Sequence, residues 1–92
     1  MKLVKVAPQA ERDLGRLASF LAPKNPPAAK AAVIAMQDAI LSLSEFPERG
    51  HPVGPTILEL FVAYGRDGYV VRYRVGVQQV TITRVFHGKE RR

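Results

Sequence analysis

The spacing of the apolar residues changes once along the chain, and this change limits what the chain can fold into. Between residues 8 and 47, apolar side chains recur every three or four positions, which is the period of an amphipathic helix. From residue 57 onward they alternate with polar residues, which is the period of a β-strand. A chain whose helices come before an antiparallel run of strands is typical of the α+β class.

Two helices are predicted in the first half of the chain. Pro8 suits the first helical position, and apolar residues then follow at helical spacing: Ala10, Leu14, Leu17, Ala18 and Leu21. Asn25-Pro26 is a start signal for the second helix, which ends at Phe46-Pro47. Because the connection is short, we expect an antiparallel helix hairpin. The preceding segment, Met1 to Val6, is predicted as an N-terminal strand.

A three-stranded antiparallel meander is predicted in the second half. Its strands are Ile57 to Ala63, Tyr69 to Val75 and Val80 to His87, and Asp67-Gly68 is a tight-turn signal. We expect the helix hairpin to pack on one face of this sheet and to leave the other face open. Since 92 residues is the size of one small domain, residues 1–92 are predicted to form a single domain.

Pairing of Val75 with Val80 across the last turn predicts which side chains share a face. The face under the helices would carry Val71, Tyr73, Val75, Val80, Ile82 and Arg84. The open face would carry Val70, Arg72, Arg74, Thr81, Thr83, Val85 and His87. Arg84 does not fit its apolar neighbours, although a long stem can be buried while the charged head reaches water. A register change of one residue would exchange the two faces.

Positive charge is concentrated in the last third of the chain. The sequence has 14 basic and 8 acidic residues and a net charge of +6. Residues 65–92 contain half of the basic residues, and their only acidic residues are Asp67 and Glu90. This asymmetry predicts an anionic partner, either nucleic acid or an acidic protein segment. Alternating arginines also arise where one side of a strand is simply solvated, and this alternative stays open.

The composition excludes several kinds of chemistry. The chain has no cysteine, so disulfides and thiolate metal sites are excluded. His51 and His87 lack the spacing and the flanking carboxylates of metal ligands, so neither a metal nor a cofactor is expected. No apolar run is long enough for a bilayer, and the N-terminus lacks a signal-peptide core. We therefore expect a cytoplasmic protein that does not act in a membrane.

Five segments, taken in order, resemble the RelE/ParE superfamily of bacterial toxins, and its ParE branch in particular. They are Pro8 to Leu14, Asn25-Pro26, Phe46 to Gly50, Gly68 to Val75 and Arg84 to Glu90. Each segment is weakly specific alone, but the ordered set covers essentially the whole chain. The resemblance implies a toxin with a strand, two helices and three strands, neutralised by an antitoxin encoded beside it.

The resemblance leaves the target open, because both branches of the superfamily use one scaffold. ParE-like members poison DNA gyrase, whereas RelE-like members cut messenger RNA on the ribosome. RelE-like nucleases place an arginine where this chain has Val70 and a basic residue where it has Gly88. These departures favour gyrase or a related topoisomerase. The alternatives are a ribonuclease that uses Arg72, Arg84, His87 and Lys89, and an inactive toxin that only binds its antitoxin.

The basic end of the chain is the predicted target-binding surface. Its residues are expected to attract and hydrogen-bond the target rather than to break bonds, and they are Arg72, Arg74, Arg84, His87 and Lys89. Antitoxin contacts are expected at Leu14, Leu17, Phe20, Arg72 and Arg74, although Leu14 and Leu17 also suit an ordinary core. The implied antitoxin is a ParD-like ribbon–helix–helix protein whose acidic tail folds on the toxin. Operator DNA would be contacted through the antitoxin alone.

Overall fold

The computed structural model describes residues 1–90, which form two helices and a five-stranded sheet. The helices are α1 (Pro8–Leu21) and α2 (Pro26–Ser42). The strands are β1 (Leu3–Val6), β2 (His51–Pro52), β3 (Leu58–Val62), β4 (Tyr69–Val75) and β5 (Gln79–His87). Their order across the sheet is β1-β5-β4-β3-β2. The predicted α+β architecture is confirmed, and the short strand β2 lies in a segment that was predicted to be irregular.

Local sequence signals set the start of each helix. Pro8 and Pro26 occupy first-turn positions, where a missing N–H removes no intrahelical bond. Asn25 caps α2, because its Oδ1 accepts a hydrogen bond from the Ala28 N–H at 3.1 Å. Helix α1 has no side-chain cap, so its position depends on packing against the sheet. Neither helix described within residues 1–90 is long and apolar enough to cross a bilayer.

Strand β1 joins the sheet parallel to β5, whereas all the other neighbouring strands are antiparallel. A parallel pair requires a crossover connection, and here the two helices form part of it. The helix hairpin consequently packs on one face of the sheet, as predicted. The core between the layers includes Leu17, Met36, Ile40, Leu60, Val71, Tyr73, Val80 and Ile82.

A bulge in β5 changes the predicted faces of the sheet. The last hairpin pairs as expected as far as Tyr73, which lies opposite Ile82, but Arg72 lies opposite Arg84. Thr83 is therefore an extra residue in β5, and side chains beyond it point to the opposite face from the one that simple alternation predicts. The bulge explains why Arg84 did not fit the predicted pattern.

Three face assignments were wrong for this reason. Val85 was predicted on the open face, yet it is completely buried in the core under the helices. Arg84 was predicted under the helices, yet it shares the face of Arg72. His87, two residues after Val85, lies on the helix side rather than beside Arg72 and Arg74. The face opposite the helices also has a small buried layer of its own, in which Val70 and Phe86 are only 6% and 4% exposed.

Tyr73 fixes the connection between α2 and β3 to the sheet. Its hydroxyl donates a hydrogen bond to the Pro47 carbonyl oxygen at 2.8 Å and accepts one from the Gly50 N–H at 2.8 Å. The ring is completely buried, so both bonds are shielded from water. A Cβ at Gly50 would lie 2.7 Å from the Tyr73 hydroxyl, which explains why glycine occupies this position.

Tyr73→Phe is expected to lower the free energy of unfolding by about 1–3 kcal/mol, because two shielded hydrogen bonds are lost. Urea denaturation monitored by circular dichroism measures this change. Tyr64→Phe is the matched control, because it removes one half-buried hydrogen bond to the Ala28 carbonyl oxygen and should cost less. Equal losses in the two variants would show that Tyr73 does not fix the connection.

Candidate functional site

Two of the arginines predicted to bind a target are held by carboxylates of the chain itself. On β4, Arg72 donates hydrogen bonds from Nε and Nη2 to Glu59 Oε2 at 3.0 and 2.9 Å. On β5, Arg84 donates from Nε to Asp13 Oδ2 at 2.8 Å and from Nη2 to Oδ1 at 3.2 Å. Asp13 and Glu59 are only 1% and 5% exposed. Each of these buried carboxylates therefore needs a cationic partner, and each has one.

The Phe86 ring is in contact with both guanidinium groups. Its ring centroid is 5.1 Å from Arg72 Cζ and 4.8 Å from Arg84 Cζ, within the range of cation–π contacts. The two arginines also face each other in register, an arrangement that is repulsive unless each charge is compensated. Their carboxylate partners supply that compensation. We call this unit the Arg–Phe–Arg stack; it consists of Arg72, Phe86 and Arg84.

Asp13 is the buried residue on which the stack depends, and it is absent from the residues that sequence spacing alone selected for the buried side of α1. Its Oδ2 also accepts the Val85 N–H at 2.9 Å. The pairing of β5 with β1 ends at Ile82, so β1 provides no hydrogen-bond partner for the Val85 N–H. The missed signal is its spacing, because Asp13 lies three residues after Ala10 and four before Leu17 on the buried stripe.

Hydrogen bonding keeps the Asp13 carboxylate charged despite its burial. Burial raises the pKa of Asp13, but the hydrogen bonds from Arg84, the Val85 N–H and Gln9 outweigh that effect. The pKa of Asp13 is consequently below its ordinary value. The hydrogen bond to Asp13 likewise raises the pKa of Arg84. The pair is therefore ionised at neutral pH, which ties α1 electrostatically to β5.

Not every predicted cation is held in this way. Arg74 is exposed and forms no ion pair within residues 1–90, and Lys89 is likewise exposed. Phe61, on the same face as Arg72, is 55% exposed. The alternative that these arginines are simply the solvated side of a strand therefore fits Arg74. It does not fit Arg72 or Arg84, which are paired with buried carboxylates. Arg91 and Arg92, which are among the basic residues counted in 65–92, lie outside the described residues.

A second cluster of predicted residues lies on the helix side of the sheet. A groove of about 410 Å³ runs between α1 and the end of β5, and it is lined by Arg16, Leu17, Phe20, Leu21, Tyr69, His87 and Glu90. Phe20 is 66% exposed, whereas Leu17 is buried and Leu14 packs against the core. Of the three helix residues predicted to bind an antitoxin, Phe20 alone is an exposed apolar side chain.

His87 and Glu90 close one end of this groove. The His87 ring meets the Tyr69 ring edge-on with a centroid distance of 5.6 Å, and its Nδ1 accepts the Lys89 N–H at 3.2 Å. Glu90 Oε1 accepts the His87 N–H at 2.8 Å and a hydrogen bond from Arg16 at 3.1 Å. The turn after β5 is thus fixed to α1. Within residues 1–90, no three His, Asp or Glu side chains are grouped to hold a metal ion.

The sequence of residues 4–92 matches the family model described as the ParE toxin of type II toxin–antitoxin system, parDE. The chain belongs to the ParE toxin family. Toxin RelE1 of Caulobacter vibrioides is 40% identical to it over 97% of this chain and 96% of that protein. Toxin RelE3 of the same organism is 36% identical over 100% of both chains. The resemblance to the RelE/ParE superfamily is confirmed.

Solved toxin–antitoxin structures share the fold of this ParE-family toxin. A chain of the chromosomal ParDE system from P. aeruginosa matches with a TM-score of 0.79 and 20% identity. The match covers 95% of the present chain and 96% of that chain. A chain of the RelBE2 complex from Mycobacterium tuberculosis matches with a TM-score of 0.61 and 26% identity. The match covers 94% of the present chain and 96% of that chain. The names cover both branches of the superfamily, so the target must be argued from the site itself.

Asp13→Asn is expected to lower the free energy of unfolding at neutral pH by about 2–4 kcal/mol, because Arg84 loses its charged partner. The variant should also lose part of the acid dependence of stability. Because the pKa of Asp13 is lowered by folding, its contribution is complete well above the ordinary value of 3.8 and disappears as pH falls below that value and through the lower folded pKa. Urea denaturation over this pH range measures both effects.

Glu11→Gln is the matched control, since Glu11 is an exposed acidic residue on the same helix. It should change the free energy of unfolding by less than about 1 kcal/mol. A variant at Asp13 with wild-type stability and wild-type acid dependence would refute the structural role of this carboxylate.

Proposed function

We propose that this toxin acts by binding a bacterial type II topoisomerase, with DNA gyrase as the first candidate, and stalling it on DNA. The internal pairing of Arg72 and Arg84 is the observation that supports this proposal. A metal-free ribonuclease needs uncompensated cations beside the scissile phosphate and a group that moves protons. Here both arginines neutralise buried carboxylates, and His87 lines the groove on the helix side instead.

The proposed target contacts are the predicted cations, and we assign their roles from their exposure. Arg74 and Lys89 are exposed and carry the charge that attracts a DNA-bound or acidic target. Arg72 and Arg84 keep 29% and 39% of their side chains exposed, so they offer a rigid edge for hydrogen bonds. His87 contributes at the end of the groove. The unit of action is the single domain of residues 1–92, working in the cytoplasm.

Ribosome-dependent cleavage of messenger RNA is the second candidate. It is favoured by the names of two relatives, Toxin RelE1 and Toxin RelE3. In that case Arg72, Arg84, His87 and Lys89 would form the catalytic set. The residues would have to leave their present partners, since Arg84 is bound to Asp13 and the His87 ring accepts a backbone N–H.

Arg74→Ala is expected to weaken inhibition of gyrase about tenfold, which corresponds to losing about 1.4 kcal/mol of binding free energy. Supercoiling of relaxed plasmid by purified gyrase, titrated with toxin, measures the inhibition. Arg12→Ala is the matched control, because it removes an exposed arginine from α1 rather than from the sheet face. It should inhibit like the wild type.

Two outcomes would contradict the gyrase proposal. Wild-type toxin that leaves supercoiling unaffected but cleaves messenger RNA on purified ribosomes would establish the ribonuclease alternative. Folded toxin that neither inhibits gyrase nor arrests growth, but still binds its antitoxin, would establish an inactive copy.

We also propose that a ParD-like antitoxin neutralises this toxin. It would have a ribbon–helix–helix domain and an acidic tail, and it would supply the contact to operator DNA. The groove beside α1 suits such a tail, because it combines an exposed aromatic side chain with cations. Phe20 provides the apolar surface, and Lys24 Nζ lies 4.5 Å from its ring centroid. Arg16 also lines the groove, where it is paired with Asp13 and Glu90. An amphipathic acidic segment would complement both the apolar and the charged parts of this surface.

Phe20→Ala is expected to weaken antitoxin binding about 10- to 100-fold, because an exposed aromatic anchor is removed. Isothermal titration with the protein encoded by the adjacent reading frame measures the affinity. Phe46→Ala is the matched control, since Phe46 is 58% exposed but lies after α2 and outside the groove. Equal affinities of Phe20→Ala and wild-type toxin would exclude the groove as the antitoxin site.

A further inference from the structure

The outward side of α2 carries an apolar stripe that no part of residues 1–90 buries. Ile34 is 46% exposed and Leu41 is 65% exposed. They are seven residues apart, or about two helical turns, so they lie on the same side of the helix. The opposite side of α2 already contributes Ala32, Met36 and Ile40 to the core. Helix α2 therefore has apolar side chains on the side that faces away from the core as well as on the buried side, and such side chains are available for packing against a partner.

The polar residues along this stripe are arranged so that the stripe is complementary in charge to a second copy of itself. Lys30 lies at its N-terminal end, and Glu45 lies at its C-terminal end in the turns that follow α2. Gln37 and Asp38 lie at its middle, and all four side chains are exposed. Opposite charges at equal distances from the middle fit a second, antiparallel copy of the same stripe. The matched pairs would be Ile34 with Leu41, Lys30 with Glu45, and Gln37 with Asp38.

The shape of the surface beside the stripe agrees with this arrangement. A groove of about 460 Å³ separates α1 from α2 next to Ile34, and small residues of α1 and of the loop after it line one wall: Ala18, Ser19 and Ala22. In the antiparallel arrangement, Leu41 of a second copy would lie level with Ile34 and next to this groove. Leu41 at one end of the stripe thus projects from the surface, and the groove beside Ile34 at the other end has room for the Leu41 side chain of the second copy.

We propose that α2 is a homodimer interface, in which two copies of the toxin pack antiparallel around a two-fold axis near Gln37 and Asp38. A two-fold interface must be self-complementary, which is the property that the stripe has in both charge and apolar surface. This interface is separate from the Arg–Phe–Arg stack and from the groove at the end of β5. A dimer would therefore present two target-binding faces and two antitoxin grooves at once.

Sedimentation equilibrium of the full chain tests the interface. The wild type should form a dimer at micromolar concentration, and Leu41→Glu should remain monomeric because a charge would be buried against Ile34. Val77→Glu is the matched control, because Val77 is 91% exposed at the turn between β4 and β5 and should leave the dimer intact. Circular dichroism verifies that all the variants are folded.

A charge exchange tests the antiparallel register. Lys30→Glu and Glu45→Lys should each weaken the dimer several-fold, about threefold to tenfold, because like charges would face each other. Combining the two substitutions should restore dimerisation to about the wild-type affinity, since the opposite charges are exchanged and not lost. A double variant that is weaker than both single variants would overturn the proposed register.

Cysteine cross-linking tests the position of the axis. The chain has no cysteine, so Gln37→Cys introduces a single thiol near the proposed axis, where two copies come within disulfide reach. It should oxidise to a covalent dimer, whereas Gln78→Cys, at an exposed turn, should not. A wild-type chain that stays monomeric, with Leu41→Glu losing affinity for the antitoxin instead, would overturn the homodimer and identify the antitoxin as the occupant of the stripe.

Discussion

The buried carboxylate of Asp13 joins the helix hairpin to the sheet, and the placement of the arginines depends on it. It accepts the Val85 N–H where β5 has no neighbouring strand on that edge, and it binds the guanidinium of Arg84. The bulge at Thr83 places Arg84 on the face of Arg72. Without Asp13, this arrangement would leave a buried N–H unpaired and Arg84 without a compensating charge opposite Arg72, and each of these costs free energy.

The same contacts divide the positive charge of this ParE-family toxin into two kinds. Arg72 and Arg84 are part of the fold, because each compensates a buried carboxylate and both pack on Phe86. Arg74 and Lys89 are exposed and make no ion pair within residues 1–90, so their charge is available to a partner. Net charge alone therefore overstates the number of cations that are available to a partner.

The sequence was sufficient for the elements whose signals are local. The Pro8 and Asn25-Pro26 starts, the strand Tyr69 to Val75 and the pairing of Val75 with Val80 all agree with the structure. Interactions distant in sequence were not predicted, including the parallel pairing of β1 with β5 and the contact of Asp13 with Val85. The bulge in β5 has no sequence motif of its own, so the only sign of it in the sequence was the poor fit of Arg84 among apolar neighbours. The groove beside α1 arises only when β5 packs on that helix.

A double-mutant cycle between Asp13 and Arg84 tests most directly whether the arginine belongs to the fold. The cycle compares urea denaturation of wild type, Asp13→Asn, Arg84→Gln and the double variant. The structure predicts that the two changes are not additive, with a coupling free energy of about 1–3 kcal/mol. Additive losses, with a coupling near zero, would mean that the ion pair with Asp13 does not hold Arg84 in the fold and would contradict the central claim.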